Sequence, residues 1–182
     1  INNSTIIKQG SVRHENAGVL SFFAQETGSL KLMNLRVRHC TILVEESKLI
    51  VRGASSGAAA AGIGFSTPKD SNLIVSETNF TAVLTGSDHY IEVEAAGDGV
   101  AILGAAIATD HKRAMYQVSY CHISARLRDG AQLRSSCYRA RAILGFAAIS
   151  VNDDVFMNIA ISSMVLDASG PGTSVSTVLH PT

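Results

Sequence analysis

The sequence lacks tryptophan altogether and contains only three prolines, three cysteines and few charged residues. Charged side chains make up 16% of the 182 residues, and 15 basic residues balance 15 acidic ones. A formal net charge of zero argues against the electrostatic attraction that draws basic proteins to nucleic acids and anionic membranes. No apolar run reaches the roughly 18 residues of a membrane-spanning helix. We therefore expect neither nucleic-acid binding nor membrane insertion.

Residue sets that bind metals or hydrolyse glycosides are also missing. The six histidines show no metal-binding spacing such as H-x-x-x-H, and three cysteines do not favour a disulfide framework. The acidic residues are scattered along the chain, whereas glycoside hydrolysis requires two carboxylates across a cleft. The sequence therefore predicts no cofactor, no metal ion and no enzymatic activity.

A signature that occurs five times dominates what the sequence does contain. An aliphatic residue is followed three positions later by a small Ser, Thr or Cys, and two positions after that by a large apolar residue. The copies are Ile1/Ser4/Ile6, Val37/Cys40/Ile42, Val75/Thr78/Phe80, Val118/Cys121/Ile123 and Ile159/Ser162/Met164. Successive copies begin 36, 38, 43 and 41 residues apart. Constant internal spacing with variable separation is typical of a repeat protein with insertions in its loops.

Each copy opens a strand-like segment rich in Val, Ile and Thr, and two further strand-like patches follow it. The second patches are 48–52, 90–95 and 131–135, with a weaker copy at 11–13. The third patches are 18–24, 61–66, 101–108 and 142–150, with a weaker copy at 174–179. No segment shows convincing helical periodicity. This pattern predicts an all-β, right-handed parallel β-helix of about 4.5 coils, with three strands in each coil of roughly 40 residues.

The predicted coils form a single domain over residues 1–182. Their approximate bounds are 1–36, 37–74, 75–117, 118–158 and 159–182. The first signature begins at Ile1, so we expect the chain to be processed or to belong to a longer protein. The two end coils would expose sheet edges, which favour association with a neighbour.

Stacking turns the signature into ladders of equivalent residues. The first and last signature positions are five residues apart, an odd number, so a bend or bulge is expected at the small residue between them. Cys40 and Cys121 could act as metal ligands or a redox pair, but a ladder of small inward groups is favoured. They would lie two coils, or about 9.6 Å, apart, beyond the about 7 Å reach of a disulfide.

The third patch is apolar at every position, which indicates burial on both of its faces. One face would line the coil interior, and either a partner subunit or loops of this chain would cover the other. The first alternative predicts an interface between copies or filament neighbours. Its residues would be Val19, Phe22, Ile63, Phe65, Ile102, Leu103, Ile107, Ile143, Phe146 and Ile149.

Three N-x-Ser/Thr sequons, at Asn2, Asn3 and Asn79, are candidate glycosylation sites. Asn79 precedes Phe80, whose position in the apolar ladder predicts that it points inward. We therefore expect the Asn79 side chain to face outward, where a glycan could attach.

The five signature copies and the Gly/Ala-rich third patch resemble the pectin-lyase-like parallel β-helix class over essentially the whole chain. None of the class's catalytic motifs matches. Segments such as Val37-Arg-His-Cys-Thr-Ile42 and Asn79-Phe-Thr81 resemble segments in large repetitive protist surface proteins of the kinetoplastid dispersed-gene-family type. That second resemblance implies an extracellular or cell-surface, glycosylated and non-enzymatic role.

These observations favour a structural subunit of an extracellular filament, coat or surface appendage. It would associate through the apolar strand face and the open coil ends. One alternative is a carbohydrate-binding or carbohydrate-active β-helix protein, with a glycan as its ligand and at least three acidic or aromatic side chains on one open face. A second alternative is an intracellular scaffold in a large assembly, which fits the free cysteines equally well.

Overall fold

A computed structural model describes residues 1, 4–14, 18–23, 34–53, 58–67, 72–95, 99–109, 114–137, 140–150 and 155–179. Within these ranges the chain is all-β and contains no helix. The strands are β1 (Thr5–His14), β2 (Gly18–Phe23), β3 (Asn34–Arg38), β4 (Thr41–Gly53), β5 (Ala58–Thr67), β6 (Asn72–Ser76), β7 (Asn79–Thr85), β8 (Tyr90–Ala95), β9 (Gly99–Thr109), β10 (Ala114–Arg128), β11 (Gln132–Cys137), β12 (Ala140–Ser150), β13 (Val155–Ser169) and β14 (Ser174–Leu179).

Each strand pairs in parallel with the equivalent strand of a neighbouring repeat. The signature segments and second patches form one ten-stranded sheet, and the third patches form a separate four-stranded sheet in the order β12-β9-β5-β2. The signature residues stand in register: Val37 pairs with Val75, Val75 with Val118, and Val118 with Ile159. The large apolar positions form a second ladder, in which Ile42 pairs with Phe80 and Phe80 with Ile123. Both predicted ladders are therefore confirmed.

The expected bend within the signature is also confirmed. His39, Glu77 and Tyr120, each directly before the small residue, adopt positive φ angles of 51°, 49° and 54°. This left-handed conformation shifts the alternation of side chains by one residue, so that both Val37 and Ile42 are fully buried. The apolar ladders of both sheets meet in one core cluster.

One segment stacks differently from the prediction. Residues 174–179 were expected as a weak third patch, but β14 pairs with β11, in register from Gln132↔Ser174 to Cys137↔Leu179. β14 therefore extends the column of second patches. The reason is local: a tight turn precedes each of the two strands, with Asp129 N bonded to Ser169 O across the repeats.

The predicted partner-facing surface is wrong at three of its ten positions. Ile63, Ile102 and Leu103 have no exposed surface and belong to the chain's own core. The adjacent residues Ile102 and Leu103 are both buried, as a run buried on both faces requires. Covering by the chain itself, the other alternative, therefore holds at these positions. The other seven residues lie in strands, but their side chains are outside the described set: Val19, Phe22, Phe65, Ile107, Ile143, Phe146 and Ile149.

Glycines allow close backbone contact along the four-stranded sheet. A Cβ atom on Gly62 would overlap the carbonyl oxygen of Gly104, and one on Gly104 would overlap that of Gly145. Gly104 also has a φ of +130°, which L side chains rarely adopt. This column of glycines is therefore a steric requirement of the stacked backbone.

We predict that Gly104→Ala lowers the free energy of unfolding by about 3 kcal/mol or more, because the added methyl group meets backbone that cannot move aside. Gly86→Ala is the matched control, since Gly86 has a φ of +92° but no atom within 4 Å of the new methyl. It should cost only about 1 kcal/mol. Urea unfolding measures both, and equal losses would contradict the steric account.

Candidate functional site

The small residue of the three middle signatures stabilises the bend from inside. Thr78 Oγ1 donates a hydrogen bond of 2.9 Å to the carbonyl oxygen of Ser76, two residues earlier. Cys40 Sγ makes the same contact with Arg38 O at 3.0 Å, and Cys121 Sγ with Ser119 O at 3.5 Å. All three side chains are buried. A small donor at this position therefore adds a hydrogen bond within the bend. The Ser76 and Ser119 carbonyl oxygens also accept the backbone N–H groups of His39 and Glu77 from the neighbouring repeat.

This role favours the structural interpretation of the two cysteines. Burial raises the pKa of the Cys121 thiol, against the opposing effect of hydrogen bonds to Thr78 and Ser119. A buried, protonated thiol is a poor metal ligand and a poor nucleophile. Across the described ranges, no group of three or more His, Cys, Asp or Glu residues is placed to hold a metal ion.

The same bends create a cleft on the outside of the ten-stranded sheet. We call it the bend cleft: an open cavity of about 700 Å³ lined by His39, Cys40, Thr41, Glu77, Asn79, Tyr120, His122 and Ser162. One wall is the row of left-handed residues. The other wall is the row that follows the small residues, because Asn79 pairs with both Thr41 and His122. The floor between the two rows includes Cys40.

Polar and aromatic side chains line both walls of this cleft. His39 Nδ1 lies 2.8 Å from Glu77 Oε2, and both side chains are about half exposed. His122 Nδ1 lies 2.7 Å from the Ser163 hydroxyl. The Tyr120 side chain is 69% exposed. Among the described residues, neither the Tyr120 hydroxyl nor the Asn79 carboxamide has a side-chain hydrogen-bond partner, so both can bind a ligand.

The left-handed conformation of these residues is costly. It costs about 1–2 kcal/mol in a residue other than glycine, and an exposed polar contact such as His39–Glu77 contributes only about 0–1 kcal/mol. Gly or Asn would suit the backbone better at all three positions. The identity of these side chains is therefore not explained by stability alone.

The described lining of the cleft differs from that of a glycosidase site. Its described lining contains one carboxylate, Glu77, whereas general acid–base cleavage of a glycosidic bond uses two. The carbohydrate alternative called for three acidic or aromatic side chains on one face, and the cleft brings together two, Glu77 and Tyr120.

A second charged cluster lies on β8. Glu92 and Glu94 project from the same face of the strand, and Arg52 Nε bonds to Glu94 Oε2 at 2.6 Å. Arg134 approaches Glu92 from the following repeat, at 3.9 Å. Partial burial raises the pKa of Glu92, and the hydrogen bond and negative charge of Glu94 raise it further. Two carboxyl groups that share a hydrogen bond are too close for a glycosidase pair, whose groups are about 5 Å or more apart.

The structure places the predicted site residues as follows. Asn79 is exposed and Phe80 is fully buried, so the predicted outward direction of Asn79 is confirmed. Asn2 and Asn3 lie outside the described residues. The sequence analysis did not predict that His39 and His122 line one cleft with Glu77 and Tyr120. The missed signal is a large polar or aromatic residue directly before each buried small residue.

We predict that Glu92→Gln reduces the pH dependence of stability. Folding raises the pKa of Glu92, so its contribution to the free energy of unfolding is complete at a pH below its pKa in the unfolded chain. That contribution is lost as the pH rises through its pKa in the folded chain. Gln can donate the same hydrogen bond to Glu94 and carries no charge. Urea unfolding should show that the free energy of unfolding declines less between about pH 4 and about pH 7 in Glu92→Gln than in wild type. Asp88→Asn, in an exposed turn, is the control, and an unchanged decline in Glu92→Gln would refute the assignment.

Comparison of the chain with protein-family models, with curated proteins and with solved structures yields no match. Among the described residues there is also no helix of the length and apolarity needed to cross a membrane.

Proposed function

We propose that this chain is a right-handed parallel β-helix of about 4.5 coils and acts as a non-enzymatic structural subunit that assembles end to end. The in-register parallel pairing of equivalent residues supports the β-helix. Right-handedness follows from the strong general preference of parallel crossover connections. Each coil would then present to the next the same ladders that it receives from the one before.

The observation that carries the assembly proposal is an abrupt loss of burial in the last repeat. Val118 and Ile123 are fully buried, whereas their partners Ile159 and Met164 on β13 are 40% and 55% exposed. The β13 residues are of the core type, and they are exposed because no described strand stacks above them. Among the residues whose side-chain exposure is described, most of the exposed large hydrophobic ones lie on β13 and β14: Phe156, Met157, Ile159, Met164, Val165, Leu166 and Val178.

The backbone of this edge is equally open. β13 pairs with β10 on one side, and among the described strands nothing pairs with its other side. Fifteen residues of apolar edge strand are a strong template for strand addition. The pair Arg128–Asp167, 2.5 Å apart, holds β13 in place on β10.

The occupant we propose is the first repeat of a second copy. The strands β1 and β2 each lack a partner among the described strands on the side facing away from β4 and β5. Stacking β1 on β13 and β14, and β2 on β12, would repeat the interface already present between consecutive repeats. Such a head-to-tail contact does not close on itself, so it generates a filament.

An extracellular or cell-surface location is part of the proposal, and the exposed sequon at Asn79 supports it. In a secretory pathway, a pyrophosphate-linked lipid donor would transfer its oligosaccharide to Asn79. A bond would form between Asn79 Nδ2 and the anomeric carbon as one amide proton is lost and the lipid pyrophosphate leaves.

We predict that the purified chain self-associates with increasing concentration and that Met164→Lys abolishes this, because a charge on the open edge opposes burial. Phe156→Lys, at a side chain that is 61% exposed, should act in the same way. Thr85→Lys adds the same charge at an exposed position within the sheet, away from the edge, and should leave assembly intact. Sedimentation velocity and electron microscopy are the measurements.

Thermal melts establish that each lysine variant remains folded. A wild-type chain that stays monomeric at all concentrations would overturn end-to-end assembly. So would equal assembly by the Met164 and Phe156 variants.

We predict that intact-mass and peptide mass spectrometry of native material will find a glycan on Asn79. The physical reason is that this carboxamide is exposed on the outer face, while Phe80 anchors the strand in the core. Asn72, which is not part of a sequon, is the internal reference. An unmodified Asn79 in native material would remove the support for an extracellular location and leave the assembly proposal standing.

A further inference from the structure

We propose that the bend cleft binds a neutral saccharide chain, with Tyr120 as its stacking surface. This site lies on the outer face of the sheet and does not depend on assembly through β13. Three properties of the cleft define the ligand: its exposed aromatic ring, a described lining of hydrogen-bonding groups without Lys or Arg, and its length.

The Tyr120 ring is the central element. Tyr120 is 69% exposed and holds the positive φ of 54° that the bend imposes. A bulky aromatic residue in this conformation is unusual, because Asn and Gly adopt it with less strain. Its ring makes a broad apolar surface with a hydroxyl at the tip. A sugar ring offers the complementary shape, with C–H groups on its face and hydroxyls around its rim.

The groups around the ring are suited to hydroxyls. Asn79 offers a carboxamide, Glu77 a second carboxylate oxygen beyond the one that contacts His39, and Thr41 a hydroxyl. Carboxylate and carboxamide groups each take up more than one hydrogen bond, which matches pairs of neighbouring sugar hydroxyls. The described lining includes no Lys or Arg, so the cleft does not select an anion.

The repeat spacing determines how a chain would lie. Equivalent residues of successive repeats stand about 4.8 Å apart, so each wall extends about 10 Å from the second to the fourth repeat. A linear oligosaccharide running along the stacking direction would meet His39, Glu77 and Tyr120 in turn on one wall. Thr41, Asn79 and His122 would meet its other side. We therefore expect two or three sugar units to be in contact.

The test uses the full chain from a bacterial host that does not glycosylate Asn79. Cellohexaose, chitohexaose and mannohexaose are titrated by calorimetry and by tyrosine fluorescence, which is readable because the chain has no tryptophan. We expect at least one hexasaccharide to bind. Failure of all three at millimolar concentration overturns the proposal.

Tyr120→Asn separates binding from folding. Asn tolerates the left-handed backbone, so this variant should melt no lower than wild type and yet bind the hexasaccharide at least about tenfold more weakly. Tyr120→Phe keeps the ring and should retain most of the affinity. Asp129→Asn is the control, because Asp129 has a positive φ of 53° outside the cleft. Unchanged affinity in Tyr120→Asn overturns the proposal.

A glycan attached to Asn79 would bring the same sugar chemistry to the same cleft. A second arm compares protein whose Asn79 carries a glycan with the bacterial protein. The attached sugars should occupy the cleft and reduce the binding of free hexasaccharide. Equal binding by the two forms would place the free sugar elsewhere and overturn the assignment to the cleft.

Discussion

The structure depends on parallel, in-register pairing between residues about 40 positions apart. A parallel strand pair needs a long crossover connection, so the chain must pass through the second and third patches before it returns to the signature. Each time the chain returns to the signature, a residue lies beside the equivalent residue of the preceding repeat. The fold therefore imposes the same side-chain requirement on every repeat: aliphatic at Val37 and Val75, large and apolar at Ile42 and Phe80.

The bend in the signature links this constraint to function. One residue in the left-handed conformation moves the alternation of side chains by one, which puts a small hydrogen-bond donor inside and a large side chain outside. Thr78 then donates a second hydrogen bond to the Ser76 carbonyl within the core, while Glu77 stands exposed. Repetition of this arrangement produces both the row of buried small residues and the cleft above it.

In the last repeat, residues at the same ladder positions are exposed on the surface of the molecule. Met164 occupies a ladder position that is buried at Ile123, yet it is half exposed because stacking ends there. Open ladder positions differ from an ordinary apolar surface patch in that their geometry favours one kind of neighbour, a parallel strand in register. The proposed partner is therefore a second copy of the chain.

The sequence by itself determined the ladders and the bend. Constant spacing within the signature specifies which residues stack, and the odd separation of Val37 from Ile42 requires a change of alternation. It also determined that Asn79 faces outward, because its neighbour Phe80 belongs to the core. Only the tertiary structure decided which outward side chains meet, since those positions follow no hydrophobic period. Register shifts such as that between Ala60 and Ile63, and the tight turn before β14, depend on packing between repeats. They decided that Ile63 is covered by this chain and that Tyr120 lines the same cleft as Asn79.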